Sequence, residues 1–244
     1  MKGNVGLIGY GRFGRLAARY CAREAVVHVY DPALRIRALP GIRPSSIAEA
    51  ASQPVVVLAV PISDLRGALR AIRAHVRPGG LVVDVCSVKT APLEWMKRLL
   101  PPSVAIIGMH PLFGPDSDTG SLGGQRLVVS PSRNGKRWMG RIRALARSHR
   151  VRLHVMTPSA HDRLMAETLL LTQYIGRLPG GAGIPSRSWS TPSYRYLRLI
   201  VRAAERDSEQ LFRDMWRFNP YGARTAQALL RSHRALIRKT RGLD

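Results

Sequence analysis

Cysteine is nearly missing from this 244-residue chain: Cys21 and Cys86 are the only two, far apart and each within an apolar segment. That excludes a disulfide framework and fits a reducing compartment. Long hydrophobic runs are missing as well. The longest, Val55 to Ile62, is too short to span a bilayer and contains Pro61. The first residues show neither a basic leader nor a small-residue cleavage pattern. A cytoplasmic protein with no membrane partner is therefore expected. Acidic residues are scarce, with 15 Asp and Glu against 39 Lys and Arg, a formal net charge of +24 and a pI near 11.6. Lysine adds little to this, being confined to Lys2, Lys89, Lys97, Lys136 and Lys239. Clustered basic runs would point to nucleic acid. Here the arginines recur singly at helical spacing, as in Arg66, Arg70, Arg73 and Arg77, which is the pattern of solvated helix faces. Nucleic acid is not the expected partner; the charge would instead draw anionic substrates and cofactors. Repeats, low-complexity segments and metal-ligand spacings are absent, and no metal is expected.

What the chain does have is alternation. Asn4 to Gly9 reads as a short apolar strand running into Gly9-Tyr10-Gly11-Arg12-Phe13-Gly14. A helix follows to about Arg23, then a strand, Val26 to Tyr30, ending in Asp31. Strand, Gly-x-Gly-x-x-Gly, helix, strand and acid in one compact unit is the dinucleotide fingerprint. Its glycines permit a tight turn and close approach of backbone to pyrophosphate, the helix N-terminus faces the phosphates, and the acid can bond both ribose hydroxyls. Asp31 would repel a 2′-phosphate, so NAD is favoured over NADP, with Arg35 and Arg37 nearby as the opposing consideration. Val60 and Pro61, at the end of a buried strand Val55 to Val60, are further cofactor candidates.

Pro32 to Gln53 reads as a connection with one short helix, Ser46 to Ala51. Further strands are expected at Leu81 to Cys86, Val104 to Gly108, Gln125 to Ser130 and Val151 to Val155, separated by helices. This implies a mostly parallel sheet with helices on both faces. Beyond Thr157-Pro158 the strand signals stop. Ser159 to Ile175 reads as a helix, Pro179 to Pro192 as a loop, and Ser193 to Arg206, Ser208 to Arg217 and Tyr221 to Lys239 as amphipathic helices. The expected class is therefore α/β: a Rossmann-type sheet domain over residues 1–157, then an all-helical domain over 158–244. So short a helical domain cannot bury a large core alone, which suggests a homodimer through it.

The most informative stretch is Ile106 to Asp118. Gly108, Pro111, Gly114 and Pro115 suggest a rigid loop just past a strand end, where α/β folds place ligands, and within it sits His110. A histidine there can exchange protons at neutral pH.

Four motifs now stand in order: the Gly9–Gly14 loop, Asp84-Val85-Cys86-Ser87-Val88-Lys89, Gly108-Met109-His110-Pro111-Leu112-Phe113-Gly114-Pro115-Asp116-Ser117, and His161-Asp162-Arg163-Leu164-Met165-Ala166, with Ser193-Tyr194-Arg195 beyond. Together they resemble the prephenate/arogenate dehydrogenases of tyrosine biosynthesis over nearly the whole chain. The resemblance implies an NAD-dependent oxidative decarboxylation of a dianionic substrate, prephenate or arogenate. In it His110 is the base, Ser87 bonds to His110 or to the same substrate hydroxyl, and Arg195 with Tyr194 binds a substrate carboxylate. His161 and Asp162 match a family motif and are expected behind the reacting groups rather than among them. The chain departs from the family pattern in two places. Gln173 stands where many members have a histidine and is expected to hydrogen-bond substrate. Asp118-Thr119 looks like an insertion, and Asp118 is a candidate partner for the ammonium of arogenate or of an amino-substituted prephenate analogue. The competing readings are a dehydrogenase for such an analogue in secondary metabolism, and a non-catalytic basic nucleic-acid-binding or regulatory protein on the same scaffold.

Overall fold

The computed structural model describes residues 3–185 and 187–242. Eight strands form one sheet: β1 (Gly3–Ile8), β2 (Ala25–Tyr30), β3 (Ile42–Pro44), β4 (Val55–Leu58), β5 (Leu81–Asp84), β6 (Ala105–Pro111), β7 (Arg126–Pro131) and β8 (Arg152–Val155). Their order is β3-β2-β1-β4-β5-β6-β7-β8, every neighbouring pair parallel except β6–β7. The order reverses between β1 and β4, which makes the adjoining carboxyl ends the switch-point crevice of a doubly wound sheet. The connecting helices are α1 (Arg12–Cys21), α2 (Ile47–Ala51), α3 (Leu65–Ile72), α4 (Thr90–Leu99) and α5 (Met139–Ser148). The expected mostly parallel sheet of Rossmann type is what the chain forms.

Two features of this unit differ from the sequence expectation. The connection after Asp31 contains a strand, β3, paired in parallel with β2 through Val27↔Ile42. Three residues that end in Pro44 and follow Pro40-Gly41 carry no strand signal, and the proline is tolerated because β3 is the sheet edge. The short helix beside it was legible: Ser46 caps α2 by accepting from the Glu49 N–H at 3.2 Å, while Glu49 accepts from the Ser46 N–H at 2.7 Å. The second difference concerns His110, which lies inside β6 rather than in a loop. β7 returns antiparallel and extends the ladder through Met109↔Val129, His110↔Val128 and Pro111↔Leu127, although pairing with β5 stops at Gly108.

Arg133 holds the C-terminal side of α4. Its guanidinium donates to the carbonyls of Lys97 and Leu100 at 3.0 Å, at the helix end where carbonyls lack intrahelical partners, and to that of Pro101 just beyond at 2.7 Å.

The chain divides into two compact units, Met1–His161 and Asp162–Asp244. The first helix after the sheet, α6 (Pro158–Met165), carries that division. A π-helical stretch, Ala166–Leu170, leads into α7 (Leu171–Gly181), followed by α8 (Pro192–Arg206), α9 (Glu209–Phe218) and α10 (Gly222–Thr240). The helix continues past Pro179 to Gly181, so the loop expected from Pro179 begins later; proline sits in the last turn. Thr191 caps α8, with Pro192 at its first position, and Ser208 caps α9. α7 and α8 meet at small residues: a Cβ on Gly176 would lie 2.5 Å from the Ala204 Cβ.

Candidate active site

The glycine turn after β1 has the shape that dinucleotide binding requires. Gly9 has φ +97°, and a Cβ there would stand 2.5 Å from the Ala59 carbonyl oxygen. A Cβ on Gly14 would stand 2.2 Å from the Gly9 oxygen, so α1 packs directly on the turn. Gly11, by contrast, faces open space at the start of α1, where phosphate oxygens could reach the first N–H groups of the helix. Asp31, at the end of β2, accepts from the Tyr10 N–H at 2.7 Å and from the Ala33 N–H at 2.9 Å. The acid is thus held against the turn. Val60 packs on the same turn, its Cγ1 3.0 Å from a Gly9 Cβ position, and Pro61 follows it at the end of β4. Gly9, Tyr10, Gly11, Asp31 and Val60 therefore converge on the crevice, a cradle that fits a dinucleotide.

Two strands further along lies a group of buried polar side chains. Asp84 closes β5, and Lys89 stands just before α4; both are fully buried and form an ion pair. They fill the space that Gly108 of β6 leaves: a Cβ there would meet Lys89 Cδ at 2.8 Å and Asp84 Oδ2 at 3.1 Å. Burial pushes the Asp84 carboxyl up, against the pull of Lys89. His110 is buried beside this pair, and its Nδ1 lies 2.8 Å from His161 Nε2. Burial first, then the neighbouring His161, then the Lys89 cation hold His110 well below the usual histidine range. It is therefore neutral at physiological pH and available as a base. Ser87 lies half-buried in the turn between β5 and α4; among the described residues it makes no hydrogen bond to His110.

The sequence did not reveal the pairing of Asp84 with Lys89, although Asp-x-x-Ser-Val-Lys at a strand end was its signal. Nor did it reveal how the segment after β6 is held. Arg12 donates to both oxygens of Asp116 at 2.7 and 2.8 Å. Arg19 pairs with Asp118 at 2.5 Å, Tyr20 also donates to Asp118, and Arg23 reaches the Gly120 carbonyl at 3.1 Å. Phe113 stands edge-on to Tyr20. Asp118, expected to meet a substrate ammonium, is thus engaged by α1. Arg12 and Phe13 open that helix, with Arg12 exposed at its first position.

The other candidates belong to the helical unit. Gln173, expected to contact substrate, is buried in α7; its Nε2 donates to Asp207 at 2.5 Å and its Oε1 accepts from Arg177. Arg195 is exposed in the first turn of α8, and Tyr194 is half-buried beside it. A cation at the positive end of a helix is electrostatically misplaced, so nothing in the helix itself accounts for Arg195.

A glycine turn at the switch point of a doubly wound sheet, with a retained acid at the end of the second strand, defines a Rossmann-type nucleotide-binding protein. The chain belongs to the prephenate dehydrogenase family: the model for "Prephenate dehydrogenase, nucleotide-binding domain" matches residues 33–155, a span that holds Ser87 and His110 and begins after the glycine turn. A probable arogenate/prephenate dehydrogenase of Methanocaldococcus jannaschii is 28% identical over 186 residues, 72% of this chain and 41% of that protein. A 4-amino-4-deoxyprephenate dehydrogenase of Streptomyces pristinaespiralis is 27% identical over 239 residues, 91% of this chain and 79% of that protein. The chain thus spans well under half of the first relative. Among solved structures, Aquifex aeolicus prephenate dehydrogenase in complex with hydroxyphenyl propionate and NAD+ shares the fold, with a TM-score of 0.75, 19% identity, and coverage of 100% of this chain and 93% of that one. Among the described residues no helix is long and apolar enough to cross a membrane, and no group of three metal-ligating side chains occurs.

Proposed function

We propose that this chain is an NAD-dependent dehydrogenase that oxidatively decarboxylates prephenate or arogenate. The observation that carries the reading is His110: a buried, neutral imidazole beyond the parallel end of β5, on a sheet whose switch point holds the dinucleotide turn. The cofactor, when bound, supplies the hydride acceptor. His110 takes the proton of the substrate hydroxyl while the carbon bearing that hydroxyl gives up its hydride. The ring carboxylate leaves as CO2, its bonding pair completes the aromatic ring, and His110 returns the proton to the phenolate oxygen. No net proton is released, so the same nitrogen serves as base and then as acid. The driving force lies in the substrate, which leaves alignment and charge placement to the protein. Ser87, at the neighbouring strand end, is assigned a hydrogen bond to the substrate hydroxyl. Arg195, with Tyr194, is assigned a substrate carboxylate through its planar fork. Gln173 and Asp118 are given no substrate contact in this reading, because their polar groups are engaged within their own units.

We place the reaction in the cytoplasm and the chain in a homodimer formed through the helical unit. Support for the latter is the apolar surface of α8 and α10, where Tyr196, Leu199, Leu230 and Leu236 are all exposed.

The test is NADH formation with prephenate, arogenate and 4-amino-4-deoxyprephenate, each with NAD and with NADP. Turnover of prephenate or arogenate with NAD is the expected result. Turnover of the amino analogue alone would move the substrate assignment to the reading that the Streptomyces relative suggests. Clear NAD binding with no turnover would remove the enzymatic reading.

A further inference from the structure

A histidine that must take and return a proton at one nitrogen needs its tautomer fixed, and the proposed chemistry requires Nε2 of His110 to carry a lone pair. We propose that His161 is the positioning residue that fixes it, by accepting a hydrogen bond from His110 Nδ1–H on its own Nε2. The inference rests on the reading of His110 as the base.

Two nitrogens 2.8 Å apart must share one proton between one donor and one acceptor. Were His161 the donor, Nε2 of neutral His110 would hold the remaining proton and could abstract nothing. With His110 as donor, Nε2 is bare. Only this second arrangement persists through the cycle: after Nε2 takes a proton, Nδ1 still carries its own and still donates. The contact is also mechanically secure. His110 is locked into β6 by its pairing with Val128 of β7. His161 is fully buried in the first turns of α6, its N–H bonded to the Thr157 carbonyl at 3.0 Å, and Thr157 Oγ1 accepts from the Ala160 N–H at 3.2 Å. The rings meet edge to face, with centroids 5.1 Å apart and planes at 68°. Besides His161, the charged group that acts on His110 is Lys89 before α4, itself paired with Asp84 of β5. The Lys89 cation disfavours a positive charge on His110, which rests neutral with its one proton on Nδ1 in the proposed arrangement.

The experiment is 15N NMR of the histidine rings in the full-length protein, with steady-state kinetics of His161→Gln and His161→Leu. The expected wild-type spectrum shows His110 protonated at Nδ1 and bare at Nε2. His161→Gln can place an amide oxygen near the position of Nε2, so it should keep that tautomer and keep kcat within about tenfold of wild type. It should also move the acid limb of the kcat profile to higher pH, since the His161 ring that opposes protonation of His110 is gone. His161→Leu should mix the tautomers and lower kcat about 100-fold or more, with KM and the Kd for NAD nearly unchanged. A wild-type His110 protonated at Nε2 would overturn the inference, and so would an acid limb and a kcat unmoved in both variants. If His161→Leu fails to fold, the wild-type spectrum and His161→Gln still decide. The spectrum needs no substrate, so a bare Nε2 with no turnover of any substrate would retain the positioning role and reject the activity. Turnover with a protonated Nε2 would do the reverse.

Discussion

The two units of this chain bury different things. The sheet unit buries strands such as β5 completely, and it also buries Asp84, Lys89, Ser130, His110 and His161. The helical unit buries little of its elements α8 and α10: α8 contributes only Ala204 and α10 only Gly222, while Tyr196, Leu199 and Leu236 are 72%, 61% and 60% exposed. Buried polar groups are costly unless each is paired. The helical unit keeps four of its own, Asp162, Gln173, Asp214 and Asn219, with Gln173 bonded to Asp207 and Arg177, so what sets the sheet unit apart is the kind of group it buries: an ion pair and two histidines in contact. Exposed leucines on amphipathic helices tell the opposite story, of apolar surface in excess of what the unit can cover. The proposed chemistry therefore rests on what the sheet unit buries, and the proposed self-association on what the helical unit leaves bare.

The largest effect that would test this contrast is on His110. His110→Ala should lower kcat by about 1,000-fold or more while NAD affinity, measured by titration of the protein with the cofactor, stays nearly intact. Equal loss of both would mean a folding defect. The wild-type pH profile sharpens the point. Because His110 is held well below the ordinary value of about 6.5, activity should be level through neutrality and fall only in acid, as pH drops through the depressed value. Stability follows the same sign. Below about pH 6.5 the unfolded chain binds a proton that the folded chain refuses, so stability declines as pH falls and recovers as it rises. A rate limb centred at or above the ordinary histidine value would contradict the buried, neutral base.

Next in size is the ion pair beneath Gly108. Lys89→Met would leave the Asp84 carboxylate buried without its cation, one of whose oxygens, Oδ2, already lacks a hydrogen-bond partner. Thermal or denaturant unfolding should show a loss of about 3–5 kcal/mol, reduced to the extent that Asp84 picks up a proton instead. The double variant Asp84→Leu, Lys89→Met should recover most of that loss, because no charge remains to desolvate. A double variant as unstable as the single one would mean that the pair holds the fold in a way that apolar packing cannot replace.

How much of this could be read from the sequence follows the range of the interactions. The alternating strands, the glycine turn and the short helix Ser46 to Ala51 rest on neighbours within a few residues, and Asp31, 21 positions from Tyr10, was found through the fixed spacing of the dinucleotide fingerprint. His110 was recognisable from its motif but misplaced. Gly108 and Pro111 look like strand terminators, and the antiparallel return of β7 that extends β6 is settled by residues far along the chain. β3 was invisible because three residues ending in a proline carry no periodicity. Pro179 suggested a helix end, yet the helix runs on to Gly181. The π-helical turn at Ala166–Leu170 has no composition that announces it. Contacts such as Arg12 with Asp116 or His110 with His161 join residues 104 and 51 positions apart. Among so many arginines, nothing in the sequence says which one is paired.

For the helical unit the contrast predicts association without intrinsic stability. Leu236→Ser, on an exposed position of α10, should change unfolding of the isolated chain by less than about 0.5 kcal/mol, as surface substitutions generally do. Sedimentation should nonetheless show weakened self-association. A protein that sediments identically in both forms would remove α10 from the interface and leave its exposed leucines without an explanation of this kind.

The smallest expected effect concerns Asp118, and it asks whether a polar group in the sheet unit's exposed segment is chemistry or scaffolding. Arg19 and Tyr20 both bind its carboxylate, and the Gly120 N–H donates to it at 3.1 Å. The Tyr20 hydroxyl foremost, with the Gly120 N–H and Arg19, holds the carboxyl below the usual aspartate range. Its charge is therefore constant near neutrality and committed to α1. Asp118→Asn keeps the shape and removes the charge. It should leave the ratio of kcat/KM for prephenate over arogenate unchanged, because an ammonium would have to displace Arg19 to reach this oxygen pair. The same variant should loosen the segment between β6 and β7, seen as faster proteolysis within it, since Arg19 and Tyr20 lose a charged acceptor. A selective loss of arogenate turnover would assign Asp118 to the substrate amine after all, and would mean that the Arg19 contact is exchanged when substrate binds.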